Sequence, residues 1–227
     1  IDVNTSATGT PTQIYYNSVY ISGTASAGTN NSMAFRRSVA DLLLDVRDNS
    51  FYNTRTNTAG TGTHWAIGLS SSAVGTINNN NYFADGVGGV LGTTTNAAAG
   101  NQTTLAGWKI VIPADANSVS QNPNYVAPLA SPPDLKINIA IPTQLESGGV
   151  SIAGITNDFE GDTRNLTTPD IGADEFAGIP VDLTPPNISY TPLLNTSSTT
   201  ARTLVVNVID PGSGVPTTAP GWPNLYW

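Results

Sequence analysis

The chain of 227 residues contains no cysteine, one methionine and one histidine. Without cysteine there is no disulfide, no thiolate nucleophile and no cysteine-bound metal. A single histidine is too few for a histidine-rich metal site. Charge is also scarce: 11% of residues are Asp, Glu, Lys or Arg, where soluble domains average about 25%. Eight bases against sixteen acids leave a net charge of −8, and the pI is near 4.3. That balance argues against nucleic acid or an anionic membrane as partner. No apolar run approaches the roughly 18 residues of a membrane span, so membrane insertion is not expected. Polarity comes instead from 23 Asn and 22 Gly, with abundant Thr and Ser. Such a chain favours strands and turns over helices. The composition suits a secreted, β-rich protein.

Ile1 is not an initiator methionine, and no basic-then-apolar leader stands before it. At the other end, residues 221–227 close on an aromatic, strand-like run. Both ends read as breaks in a longer polypeptide.

The first half of the chain repeats itself. Ile14-x-x-Asn17-Ser18-Val19-Tyr20 is echoed by Val46-x-x-Asn49-Ser50-Phe51-Tyr52 and again by Ile77-x-x-Asn80-Asn81-Tyr82-Phe83, at offsets of 32 and 31 residues. A second element keeps step, because Ala34-Phe35 precedes Ala66-Ile67 by 32 residues. Gly/Thr/Ser/Asn stretches between them, 23–31 and 54–63, read as loops. One segment, 38–48, has a helical reading through an N-cap-like Ser38 and a run of leucines. Against it, Leu42, Leu44 and Val46 alternate with Leu43, Asp45 and Arg47, a period of two. Each unit therefore reads as about three short strands joined by turns and one longer loop. Successive units would lie one strand spacing apart, about 4.8 Å. Asn17, Asn49 and Asn80 fit a turn that tolerates the left-handed conformation, and stacked amides can bond from unit to unit. Both uses are structural.

Three segments carry a family resemblance: Asn17-Ser-Val-Tyr-Ile-Ser-Gly23, Asp48-Asn-Ser-Phe-Tyr-Asn-Thr-Arg55 and His64-Trp-Ala-Ile-Gly68. They resemble the right-handed parallel β-helix repeats of large secreted bacterial surface proteins, frequent in the Bacteroidetes and Chlorobi groups. Asp158-Phe-Glu-Gly-Asp-Thr-Arg164 followed by Asp170-Ile-Gly-Ala-Asp-Glu-Phe176 resembles the closing segment of the same proteins. The resemblance spans residues 10–176 and implies a pectate-lyase-like solenoid. It does not imply lyase activity.

On this reading residues 1–92 are β-helix coils. Residues 93–176 are the last, irregular coils plus a cap, needed because an open solenoid end presents unpaired strand edges. Trp108-Lys-Ile-Val-Ile112 and the stretch 134–141 alternate like strands, with breaks at Asn122–Tyr125 and Ser131–Pro133. Residues 177–186 form a linker. Beyond it, Asn187–Tyr190 and Thr203–Ile209 are strand signals, followed by a turn at 210–214. Residues 187–227 resemble the opening of an immunoglobulin-like module and fall well short of the roughly 100 residues of a complete sandwich. The expected fold class is all-β: a right-handed parallel β-helix with an irregular C-terminal cap, then a partial β-sandwich.

The repeat alignment shows what chemistry the exposed face can carry. With Val46 inward, Asp45 and Arg47 point outward. The equivalent positions are Gln13 and Tyr15 one unit earlier, Thr76 and Asn78 one unit later. Those columns hold one acid and one base, without the paired carboxylates that acid/base cleavage of a polysaccharide requires. Asp41 and Asp48 belong to different strand ends. His64 sits beside Trp65 without a G-x-S-x-G elbow, so packing is its expected role. Tyr15, Trp65 and Tyr82 are the candidates for stacking on sugar rings, with Tyr16 and Phe83 behind them. The densest polar cluster is in the closing segment, where Asp158, Glu160, Asp162, Asp170, Asp174 and Glu175 place six of the sixteen acids within 18 residues. Asp158, Glu160 and Asp162 have the alternate-acid spacing of a calcium loop. Arg164 at the seventh position and no Glu at the twelfth depart from the EF-hand pattern. The competing reading makes Arg164, with Asp170 and Asp174, a structural ion-pair network that orders the loop.

The sequence thus points to a non-catalytic structural or adhesive part of a large secreted, cell-surface or extracellular protein, such as a fibre or surface-layer component. No resident cofactor is expected, calcium being the one candidate. Expected partners are flanking segments of the same polypeptide or neighbouring copies, and surface glycans. The alternative is a carbohydrate-binding or polysaccharide-cleaving β-helix whose active coils lie outside these residues.

Overall fold

The computed structural model describes residues 1–4, 9–40, 42–211 and 214–215. Asp41, part of the 210–214 turn and the aromatic run 221–227 lie outside the described residues. The chain is all-β in character, with one short α-helix and two 3-10 turns among the described residues. It divides into two compact units, 1–180 and 181–227.

Strands come in a recurring order. First are β1 (Asp2–Val3), β2 (Gln13–Tyr15), β3 (Ser18–Ile21), β4 (Thr24–Ala25) and β5 (Ser32–Arg37). The order returns as β6 (Asp45–Arg47), β7 (Ser50–Asn53), β8 (Thr56–Asn57) and β9 (His64–Leu69). A third pass gives β10 (Thr76–Asn78), β11 (Asn81–Ala84) and β12 (Gly89–Thr93). Equivalent strands pair in parallel: β2–β6–β10, β3–β7–β11, β4–β8 and β1–β5–β9–β12. The register sets Ile14 against Val46 and Val46 against Ile77, and Phe35 against Ile67. The two sequence periodicities are therefore pairing registers. The segment 38–48 is strand only over Asp45–Arg47, with turn at Leu42–Leu43.

Two rows of side chains leave the β3–β7–β11 sheet on opposite faces, as strand alternation requires. Val19, Phe51 and Tyr82 enter a core shared with Phe35, Val46, Ile67, Leu69 and Ile77. Phe35, Phe51 and Tyr82 stack there, with ring centroids 5.2 and 6.3 Å apart. Tyr20, Tyr52 and Phe83 form the other row and pack against Tyr125, Ile137, Leu145 and Ile171. This sheet is buried on both faces, which is why β7 is buried at all four positions.

After β12 the pattern changes. A 3-10 turn (Ala98–Gly100) leads into β13 (Asn101–Gln102), antiparallel to β12. Helix α1 (Leu105–Val111) follows, so the alternating reading of Trp108–Ile112 is wrong. Thr104 caps the helix by accepting from the Gly107 N–H at 3.1 Å. Trp108 and Ile112, four residues apart, are both fully buried, whereas Ile110 between them is 78% exposed. The helical period thus sorts apolar from exposed positions where a strand would have placed all three on one face. Trp108 fills the end of the core. A Cβ at Gly92 would lie 2.7 Å from its ring, so glycine makes room for the indole there.

Farther on, β14 (Tyr125–Ala127) and β15 (Asp134–Ile137) form an antiparallel pair. The strand read at 134–141 is shorter than expected, and one strand begins inside the expected Asn122–Tyr125 break. In the second unit, β16 (Asn187–Tyr190) and β17 (Val206–Ile209) form an antiparallel hairpin. Ile188, Tyr190 and Val205 are exposed on it.

Candidate functional site

The three asparagines at the turn between the β2- and β3-type strands form a continuous amide chain. Asn17 donates its backbone N–H and its Nδ2 to Asn49 Oδ1, at 3.0 and 2.8 Å. Asn49 does the same to Asn80 Oδ1, at 3.0 and 2.9 Å. The Asn80 N–H ends the series on Ser118 Oγ at 2.8 Å. Each Nδ2 also donates to a carbonyl two residues back in its own turn. Asn49 and Asn80 are fully buried. The left-handed residue of the turn is not the asparagine, as expected above, but the residue before it: Tyr16, Asp48 and Asn79 have φ of 50, 60 and 54°. The asparagines serve through their side chains rather than through tolerance of positive φ.

Ser118 had no signature in the sequence, since it stands 38 residues after Asn80 rather than 31 or 32. It belongs to a buried knot around Asp115. That carboxylate accepts from Trp108 Nε1 at 2.6 Å, from the Tyr82 hydroxyl at 2.8 Å and from Ser118 Oγ. Burial pushes the Asp115 carboxyl and the Tyr82 phenol above their ordinary ranges.

The outward column is as the alignment placed it. Gln13 and Thr76 flank Asp45, and Tyr15 and Asn78 flank Arg47. Arg47 grips Asp45 through two bonds of 2.8 and 2.7 Å, and the Tyr15 hydroxyl donates to the same carboxylate at 2.6 Å. The guanidinium also lies 5.2 Å from the Tyr15 ring centre. One face of that ring is thus occupied by a cation. Trp65 and Tyr82 are wholly buried, so neither offers a sugar a stacking face. Alternation identifies which residues share a face but not how many faces are covered, which is why these two stood as candidates. Phe83, also a candidate, belongs to the covered outer row.

His64 is buried inside β9, not at the surface. Its Nδ1 lies 2.9 Å from Ser32 Oγ and its Nε2 lies 3.0 Å from Asn57 Oδ1. Because Asn57 Oδ1 can only accept, Nε2 carries the proton and Ser32 donates to Nδ1. This is a serine, a base and an orienting amide in line. Ser32 Oγ also receives Asn53 Nδ2 at 3.0 Å, and the Ser32 N–H is spent on the Thr63 carbonyl at 3.1 Å. A backbone donor for an oxyanion is therefore already committed. Burial pushes the imidazole pKa down, so the ring is neutral at pH 7.

The closing segment lies along the left-handed turn column rather than only across the end of the repeats. The Tyr16 hydroxyl donates to the Val150 carbonyl at 2.9 Å. The Val150 N–H returns to Asp48 Oδ1 at 2.9 Å, and the Gly172 N–H reaches the Asp48 carbonyl at 2.9 Å. Asn79 Nδ2 donates to the Gly148 carbonyl at 3.1 Å. One segment thus touches the same turn position in three successive repeats. Asp48 Oδ2 is buried there without a hydrogen-bond partner. Burial pushes the Asp48 carboxyl up to about 7.

Within that segment Arg164 is 3% exposed. It donates to Glu175 at 3.2 Å and to the Gly172 and Ala173 carbonyls at 3.1 and 2.9 Å, and its guanidinium sits 3.9 Å from the Tyr16 ring centre. Asp170 accepts from the Ser147 and Phe176 N–H groups at 2.7 Å each; burial raises its pKa to about 7. Asp174 accepts from the Ile137 N–H at 3.4 Å. Asp158 Oδ1 receives the N–H groups of Glu160, Gly161 and Asp162, and its Oδ2 receives that of Glu175. Desolvation pushes the Asp158 carboxyl up, but these four donors outweigh it and hold the group below its ordinary range. Glu160 pairs with Lys136 at 2.7 Å. The three acids of the calcium reading therefore face backbone donors and a lysine. Among the described residues no three His, Cys, Asp or Glu side chains converge on a point where a metal could sit.

Comparison with family models, with curated proteins and with solved structures gives no match to this chain.

Proposed function

We propose that residues 1–176 are the final coils of a right-handed parallel β-helix and its closing segment, within a large secreted cell-surface or extracellular protein, and that their role is structural or adhesive rather than catalytic. The buried chain Asn17–Asn49–Asn80 carries this reading, because it gives each 31- or 32-residue unit the same bonds to the next. Four sets of parallel strands at that offset support the coil assignment. Right-handedness rests on the general chirality of parallel crossovers. A rod built this way is stiff, because every coil shares backbone and amide bonds with its neighbours. The exposed column offers one ion pair and no carboxylate pair. Residues from 187 onward are the opening strands of an immunoglobulin-like module on this reading.

Head-to-tail growth into a fibre is less well supported than the sequence suggested, since β13 and α1 cover the edge of β12. The test applies the full chain to acidic and neutral polysaccharides while measuring reducing ends and unsaturated products. No release is expected. Release that disappears in Asp45→Ala or Arg47→Ala would establish the polysaccharide-cleaving alternative instead.

A further inference from the structure

The asparagine chain has a direction. Every rung sends its backbone N–H toward the C-terminal neighbour, and Asn17 and Asn49 send their Nδ2 as well. Each Oδ1 therefore receives from the rung before it. At the C-terminal end the direction is satisfied, because Ser118 Oγ takes the last N–H. At the N-terminal end it is not: among the described residues none donates to Asn17 Oδ1.

Three other features open on the same face. The Asn17 and Ile21 carbonyls point toward β7, accepting from the Ser50 and Thr54 N–H groups at 2.7 and 2.8 Å. By the alternation of a parallel ladder, the N–H groups of Ser18 and Tyr20 point the other way, onto the free edge of β3. The same parity leaves Gln13 and Tyr15 on the free edge of β2. Strand β1 covers β5 but neither β2 nor β3. Beside this edge is a groove of about 780 Å³ between Tyr16–Asn17, Lys136 and Phe159–Glu160. Phe159 is 65% exposed in its wall. The groove continues the line along which the closing segment meets Tyr16, Asp48 and Asn79.

We propose that this face binds a preceding coil of the same repeat, parallel and in register, whose rung asparagine donates to Asn17 Oδ1 and whose left-handed turn fills the groove against Phe159. The proposal rests on the coil reading above and adds which neighbour the face selects. Polarity excludes a second copy placed face to face, because Asn17 Oδ1 would meet Asn17 Oδ1, acceptor against acceptor. A second copy placed head to tail would have to present its own C-terminal edge, which β13 and α1 already cover. A preceding coil presents donors where the face lacks them.

The register prescribes the experiment. Ile1 occupies the position of Phe35 and Ile67, since Asp2 pairs with Arg36 and Arg36 with Gly68. A second copy of residues 44–66 fused directly before Ile1 therefore supplies one coil in frame, with the Asn49 of the copy above Asn17. Hydrogen exchange is measured on the full chain with and without this extension. In the extended chain the amides of Gln13, Tyr15, Ser18 and Tyr20 are expected to slow by about tenfold or more. Asn49→Ala in the copy alone should abolish most of that slowing. Slowing that survives this substitution overturns the donor-polarity argument while leaving the coil reading intact. No slowing, with the added residues cut readily by protease, overturns the docking itself. A dimer of the unextended chain that protects the same four amides overturns the choice of neighbour in favour of a second copy.

Discussion

Replacing Asn49 by alanine should be the most damaging single change to the amide chain. Asn49 is fully buried, and its side chain holds five bonds: it accepts the Asn17 N–H and Nδ2, and it donates to the Ile14 and Arg47 carbonyls and to Asn80 Oδ1. Alanine removes all five and leaves the Asn17 N–H and two carbonyls without partners. A net hydrogen bond is worth about 1 kcal/mol, and a buried group left unsatisfied costs about 1–3 kcal/mol. The expected loss is about 3–5 kcal/mol, or roughly 6–20 °C in Tm for a unit of this size. Asn17→Ala gives the internal control. Asn17 is half-buried and no described residue donates to its Oδ1, so its removal deletes only Nδ2 bonds to Tyr15 and Asn49 and should cost about 1 kcal/mol. Urea unfolding followed by tryptophan fluorescence is a suitable assay, because Trp65 and Trp108 are both wholly buried. Equal losses for the two variants would refute the claim that the amide chain binds one repeat to the next.

Two further outcomes follow from the closing segment. Asp48 and Asp170 have folded pKa values near 7 against an ordinary 3.8, so the folded chain keeps protons that the unfolded chain has lost. Their contribution is most favourable below about pH 4 and declines as pH rises to about 7; Asp170→Asn should flatten that decline in a pH series of unfolding free energies, and an unchanged slope would contradict the assignment. Asp158 already accepts four backbone N–H groups, so a chelator should leave Tm unchanged; a fall reversed by added calcium would restore the metal reading.

How far the sequence could be read depends on which atoms make each contact. The repeat, its register, the stacked asparagines and the outward Asp45–Arg47 pair were legible because each depends on a side chain recurring at a fixed interval. Helix α1 was not, because Trp108-Lys-Ile-Val-Ile112 satisfies a two-residue and a four-residue period at once over so short a run. Thr104, its cap, was the available signal. The clamp along Tyr16, Asp48 and Asn79 relies on carbonyls and N–H groups of Gly148, Val150 and Gly172, which leave no residue-type signature. Arg164 was identified as an ordering residue, but Tyr16 as its stacking partner lies 148 positions away and has no local cue. Burial of Trp65 and Tyr82 depends on both faces of a strand being covered, and alternation is silent on that.

The absence of cysteine allows the central claim, parallel strands in the register of the repeat, to be measured without background. Gln13 lies opposite Asp45 across β2 and β6, whereas Arg47 is two residues farther along. Adjacent in-register positions bring Cβ atoms near disulfide range, while a two-residue offset adds about 6–7 Å along the strand. Under mild oxidation, the chain carrying Gln13→Cys and Asp45→Cys should form the intramolecular bond, detected by mass after proteolysis, and the chain carrying Gln13→Cys and Arg47→Cys should not. Efficient bonding of the offset pair with none in the aligned pair would contradict the register, and with it the stacked repeat on which the functional reading depends.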